Sequence, residues 1–538
     1  MLIVKLKKSK MFKPAIVGLI VIMLIGAGIY AYTQYQPEEE KEETPIKETY
    51  DGVGPNVLQP ISFTLHRIRK KGIIDQMENS GLFPNIFKNL PIKNQYIKDY
   101  LEGMRPGFGW DEKPSFTFTA TIHDKEWLRE KPFKDWDTGY INEFTFVPVE
   151  DEQSTSYVDF TIIEHQTQKK LLGSTTIKKE MDSFKVTYDF RTGRWTGDDE
   201  FNDTDGYGHY DGENYEIWFT LSQFSEDGDQ IPYWTEVNIL GTDPMVDDSK
   251  LDPDGDGIPT EWEWKWGYDP FTYDNHSTLD PDLDGLQNTE EYFMRKWLAN
   301  PYHQEIYLEA DYMEQTEKKL FNKDGWDGWT HEFYFETQQM LIERFAEHNI
   351  VVHIDDGRMG EGGDLLPFGR GDNAYQQDTG VVGGFYNNNF KDERKGIFRY
   401  IVIAYGGGWC HPQNDKNWYD CMCVPDNLKF FKGPLSGAIT ERTKRIGQGI
   451  QILHELGHSL GMLYEHSHGV DNSTHRHPED KNYPWFDYVS VMNYDYFAQR
   501  LFDYSDGTHG PYDTDDWSAL DLTFFQRTSP EIEGLGAL

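Results

Sequence analysis

The sequence predicts a multidomain chain: an N-terminal transmembrane helix, a β-sandwich-like domain, a set of short acidic repeats and an α/β domain. Three observations carry this. Residues Pro14 to Tyr32 form one uncharged run; residues 55–224 alternate apolar and polar side chains with a period of two; and Asp-x-Asp-x-Asp-Gly loops recur before the pattern turns to strands interleaved with helices.

The uncharged run follows Lys5, Lys7, Lys8, Lys10 and Lys13 with no intervening acid. At about 19 residues it approaches the ~20 that a bilayer span needs and exceeds a secretory apolar core. No clear small-x-small cleavage site follows, so residues 1–36 read as a cytoplasmic tip and signal anchor. The positive-inside rule then places the chain in the cell membrane, single-pass, with its bulk extracellular. Residues 37–54, rich in glutamate and poor in apolar side chains, read as a stalk.

Composition narrows the function. The 538 residues hold 92 Asp or Glu against 51 Lys or Arg, a formal charge of −41, which excludes a nucleic-acid binder with a basic footprint. Hydrophobic residues at 37% are enough for ordinary cores, so global disorder is excluded. The cysteines all lie between Cys410 and Cys423, too local for a disulfide scaffold. One disulfide from Cys410 to Cys421 or Cys423 is expected there, ahead of a structural zinc site.

Within 55–224, the runs Ser115 to Ile122, Tyr157 to Ile163, Ser183 to Tyr188 and Tyr215 to Thr220 predict strands of an antiparallel sandwich-like domain. Residues 225–302 are a tandem repeat, with Gly228-Asp-Gln-Ile, Gly255-Asp-Gly-Ile and Leu283-Asp-Gly-Leu lying 27 and 28 residues apart. The second unit carries Asp252, Asp254, Asp256 and Gly257 with Glu263 at the twelfth position; the third carries Asp280, Asp282, Asp284 and Gly285 with Glu291. Calcium is a hard cation that takes six to eight oxygens. Carboxylates at positions one, three and five wrap it, glycine at six allows the turn, and a glutamate at twelve closes the shell. These are expected to be calcium-binding repeats. The first unit keeps only Asp227, Asp229 and Glu236 and is weaker. The segment resembles thrombospondin type 3-like calcium repeats over residues 225–301.

From 303 to 538 the pattern is α/β. Glu305 to Ala310, Ile350 to Ile354 and Ile397 to Tyr405 predict strands, His331 to His348 a helix, and 385–396 a loop. The chemistry lies in His454-Glu455-Leu456-Gly457-His458. Two histidines four apart on a helix face one way and can grip one ion, while the glutamate beside them is placed to take a proton from a metal-bound water. Zinc lowers the pKa of that water toward ~7 and polarises a carbonyl.

Gly461 follows three residues later, and Ser490-Val-Met492-Asn-Tyr494 lies further on. With these two motifs the chain resembles the metzincin family of zinc endopeptidases. The resemblance implies an α/β metzincin-like catalytic domain in which Glu455 is the general base, Met492 floors the metal histidines and Tyr494 hydrogen-bonds the transition state. It implies Zn2+ as a cofactor, beside the Ca2+ expected in the repeats, and protein or peptide substrates. Partners are thus substrate and, through the N-terminal helix, the membrane, with no nucleic acid. The family expects a third ligand three residues after Gly461, where Tyr464 stands. His466 is the shortest shift and completes the expected set with His454 and His458, while His468 and Asp471 stay open. A calcium-dependent adhesion protein with an inactive protease-like domain is the competing reading; the intact Glu455 argues against it.

Overall fold

The computed structural model describes residues 59–74, 113–149, 153–170, 173–201, 206–223, 227–229, 231–314, 331–367, 381–404, 408–413, 418–425, 441–472, 487–497 and 501–524. Elements are numbered in chain order. Strands β1 (Gln59–Lys70), β4 (Glu143–Val149), β8 (Gly208–Asp211) and β9 (Tyr215–Gln223) form an antiparallel sheet in the order β4-β1-β9-β8. A second antiparallel sheet runs β3-β2-β5-β6-β7, with β2 Phe116–Ile122, β3 Lys125–Leu128, β5 Thr155–Lys170, β6 Gly173–Asp189 and β7 Arg194–Gly197. One core fills the space between them. Phe63, Leu65 and Phe219 of the first sheet meet Phe118, Phe160 and Phe184 of the second, as period-two strands with one apolar face require.

The third sheet is mixed. Strands β10 (Glu305–Met313), β11 (Val351–Asp355), β13 (Phe398–Ala404) and β15 (Trp418–Pro425) are parallel, the two-residue β12 (Leu365–Leu366) pairs with β10, and β14 (Trp409–Gln413) closes the edge antiparallel to β15. Seven consecutive residues of β13 are buried, as in a strand covered on both faces.

On one face lie helices α3 (Phe335–Ala346) and α5 (Glu441–Ser459), which bury Met340, Leu341, Leu453 and Leu456 against Leu308, Ile401 and Met422. On the other lie α4 (Val381–Asn388) and the third repeat with its helix α2 (Asn288–Met294). There Leu286, Met294 and Trp297 pack with Tyr307, Phe398 and Val402. The second repeat, with helix α1 (Thr260–Lys265), buries Ile258, Trp262 and Trp266 against Tyr207 and Trp218 of the first sheet's side.

Polar contacts tie these layers together. The Glu343 carboxylate of α3 accepts the backbone N–H groups of Gly72, Ile73 and Ile74, just past β1, at 2.9, 2.9 and 3.2 Å. Arg67 Nε donates to both oxygens of Asp137 at 3.0 and 3.1 Å, and Gln339 of α3 donates to the same carboxylate. Tyr140 hydrogen-bonds His353 of β11.

The expected fold class is therefore overturned. Residues 53–538 gather as one compact unit built on mixed and antiparallel sheets with few helices, because the repeats contribute side chains to the cores on both sides of them. No helix among the described residues is long and apolar enough to cross a membrane. The longest, α5, has 19 residues, but Glu441, Arg442, Lys444, Arg445 and Glu455 break its apolar character, and a bilayer core does not solvate such charges. The expected single-pass cell-membrane placement, with the bulk of the chain extracellular, is corrected on the same finding. Residues 1–36, read as the anchor, and the stalk 37–54 lie outside the described residues. Residues 385–396 are not wholly loop: α4 reaches Asn388, and buried Tyr386 donates to Asp420.

Candidate metal centres

Helix α5 brings His454 and His458 onto one buried face, their rings 5.0 Å apart and nearly perpendicular. Each imidazole is oriented by a backbone carbonyl: His454 Nδ1 lies 3.0 Å from Val491 O, and His458 Nδ1 lies 2.7 Å from Met462 O. Carbonyls only accept, so each Nδ1 carries its proton and each Nε2 presents a lone pair. Those two lone pairs point at one carboxylate oxygen, Asp471 Oδ1, at 3.2 and 3.4 Å.

Electron-rich atoms gathered this way call for a cation between them. Burial pushes the Asp471 carboxyl up, but the His454 and His458 imidazoles facing it outweigh that and hold it well below the usual range. Burial opposes protonation of His458, yet Asp471 raises its pKa overall. Two imidazoles and a carboxylate are a donor set that suits zinc, and the residues present fit that ion.

The third member is thus Asp471, not His466. After α5 the chain turns at Gly461 (φ 86°) and reaches Asp471, itself left-handed at φ 59°, whose N–H donates to Met492 O at 3.0 Å. His466 turns away and pairs with Asp516 at 2.8 Å. Tyr464 is half exposed and stacks on His468 at 4.9 Å. Spacing alone favoured His466 because it does not reveal that the intervening turns carry the chain past it.

Glu455 lies buried beside the pair. Burial pushes its carboxyl above the ordinary range against the opposing pull of the two imidazoles, and the backbone N–H of Cys410 on β14 hydrogen-bonds it. Nothing in the sequence pointed to that backbone contact. Met492 is fully buried beneath α5, and the Tyr494 ring stacks on His454 at 5.3 Å. No disulfide joins Cys410, Cys421 and Cys423. Cys410 pairs across from Met422, so it faces the α5 side, whereas Cys421 and Cys423 face the opposite core; alternation along β15 rules out the expected disulfide.

Both strong repeat loops fold alike. Asp252 Oδ2 accepts Gly257 N–H at 3.0 Å and Asp280 Oδ2 accepts Gly285 N–H at 3.1 Å. Asp256 Oδ1 accepts Ile258 N–H at 3.1 Å, and Asp284 Oδ1 accepts Leu286 N–H at 2.8 Å. Both oxygens of Glu263 and of Glu291, and one oxygen each of Asp254 and Asp282, are buried without a hydrogen-bond partner. Burial, aided by neighbouring acids, pushes Asp282 up to about 9 and Asp284 up to about 7, although backbone hydrogen bonds to Asp284 work the other way. Unpartnered buried carboxylates at this density fit calcium. The first unit also gathers Asp227, Asp229 and Glu236.

No protein-family model matches the chain, and a search of curated proteins found no match to it.

Proposed function

We propose that the chain is a zinc endopeptidase hydrolysing protein or peptide substrates, resembling the metzincins, with its repeats stiffened by bound divalent cations, calcium in the third. The observation that carries this reading is the convergence of two carbonyl-oriented imidazoles and Asp471 beside a buried glutamate. Zinc, when bound there, supplies a Lewis acid that polarises the scissile carbonyl and acidifies a water.

The chain's residues do the rest. Glu455 takes the proton of the attacking water and passes it to the leaving amine. Its raised pKa suits that exchange, since a general base works best near the operating pH. Cys410 N–H keeps the carboxylate in place. Tyr494, stacked on His454, offers a phenol that can donate to a developing oxyanion. Strand β14, at the sheet edge, offers backbone groups that an extended peptide can pair with, which supports a peptide substrate over a small molecule. In the repeats, Asp280, Asp282, Asp284 and Glu291 would hold calcium, and Asp252, Asp254, Asp256 and Glu263 would hold a divalent cation.

The test is Glu455→Gln. The amide keeps the shape of the carboxylate, so fold and zinc content should persist, while turnover of a generic protein substrate falls on the order of a hundredfold or more. Undiminished turnover would remove this mechanism.

A further inference from the structure

The segment joining the second repeat to the third folds back over the second loop. The N–H of Asp274 donates to Asp256 Oδ2 at 3.2 Å, and two residues on, His276 enters the loop with no solvent exposure. Its Nε2 lies 3.3 Å from Asp256 Oδ2 and 3.6 Å from Glu263 Oε1. Even so, Nε2 has no hydrogen-bond partner, and neither does either oxygen of Glu263. Ligating atoms of Asp256, Glu263 and His276 all fall within 4.8 Å of one another. Trp262 and Tyr268 meet the imidazole edge-on at 5.8 and 4.7 Å and fix its plane.

The far side of the ring carries a second signal. Nδ1 lies 2.8 Å from Nδ2 of the fully buried Asn288, a nitrogen that would donate to it as placed, while the same amide's Oδ1 has no partner. With the amide turned to present Oδ1, Nδ1 donates its proton there, the orphaned oxygen is satisfied, and Nε2 keeps a lone pair aimed between the carboxylates. Metal-ligating imidazoles are oriented by such a partner.

Donor chemistry then separates the two loops. Calcium selects oxygen, whereas imidazole nitrogen suits ions of borderline softness. In the third loop the equivalent backbone donor to Asp284 Oδ2 is Glu305, and the carboxylates of Asp280, Asp282, Asp284 and Glu291 make an all-oxygen set. In the second loop a nitrogen stands among the oxygens.

We propose that the second repeat is a mixed nitrogen–oxygen centre in which His276 Nε2, Asp256 and Glu263 hold a divalent ion of the zinc class, while the third repeat keeps calcium. The inference rests on the reading of residues 252–263 as a cation site. The full chain is loaded with zinc in excess calcium, freed of loose ions and analysed for both metals. Wild type should retain one zinc more than His276→Ala. His276→Asp, which restores an all-oxygen set and keeps the loop charged, should lose that zinc and gain a calcium, and it carries the comparison if His276→Ala fails to fold. Equal zinc in wild type and His276→Asp would overturn the proposal, leaving His276 as an orienting neighbour of a calcium ligand. In a His454→Ala background the His276-dependent zinc should persist, so failure of the catalytic centre and failure of this one are read separately.

Discussion

The sulfur of Met492 lies 2.5 Å from the point where a Cβ on Gly457 would stand. Helix α5 therefore rests directly on the Met492 turn at the residue before His458, and glycine is what permits the approach. Tyr504 crowds the same point at 3.1 Å. Gly457→Ala should destabilise the protein by about 1–3 kcal/mol through overpacking, measured by urea denaturation. Adding Met492→Ala should recover part of that loss, because the two changes share one space. A fully additive double variant would argue against the contact.

Asp471 and His466 make opposite predictions. Asp471→Ala should weaken zinc binding by more than the ~10–100-fold that loss of a merely supporting partner costs. His466→Ala should leave zinc affinity near wild type and lower stability instead, since its contact is with Asp516. Competition against a chromogenic zinc chelator reads both, and a reversed order would restore His466 as the ligand.

Calcium should raise the melting temperature. A site at a hundredfold excess over its dissociation constant adds about 2.7 kcal/mol, so chelation and repletion should give well-separated melts. Glu291→Ala should remove one calcium together with its share of the shift. Superimposable melts with and without calcium would count against the repeats as ion sites.

The pair Arg67 and Asp137 predicts an acid limb. Burial would push the Asp137 carboxyl up from 3.8, but Arg67 outweighs it and holds the group at about 2. A depressed folded pKa means the stabilisation is full above the unfolded value and is lost as pH falls through the folded one. The stability gap between wild type and Asp137→Asn should thus be constant above pH ~4 and narrow toward pH ~2. A gap that stays constant down to the lower limit would assign the effect to packing rather than charge.

Thiol titration of the unfolded protein under non-reducing conditions should find three free cysteines, as the opposite facings of Cys410 and Cys421 require. A count of one would mean that β14 and β15 pair in another register.

Strands with period-two alternation were legible in the sequence, and so were the loops and the histidine pair, because each is set by spacing along a few residues. Asp471 was not resolved from His466 and His468, since its place depends on two left-handed turns and on the carbonyl of Met492 across the fold. The repeats read as acidic ion-binding loops, with no sign that they build core. Trp262, Trp266, Met294 and Trp297 are spaced for one helical face each, and only their contacts with distant strands show that they are core. His276 carried no pattern at all; its meaning comes from a fold-back that no local rule predicts.

The three amide groups of Gly72, Ile73 and Ile74 that close on Glu343 have a consequence for how this chain could have been assembled in evolution. Recombination that moved the histidine-bearing half to a new partner would strand a buried carboxylate on α3 with its hydrogen donors left behind. A cut near residue 72 would separate these donors from their acceptor, and its first effect should fall on α3, the helix packed against α5.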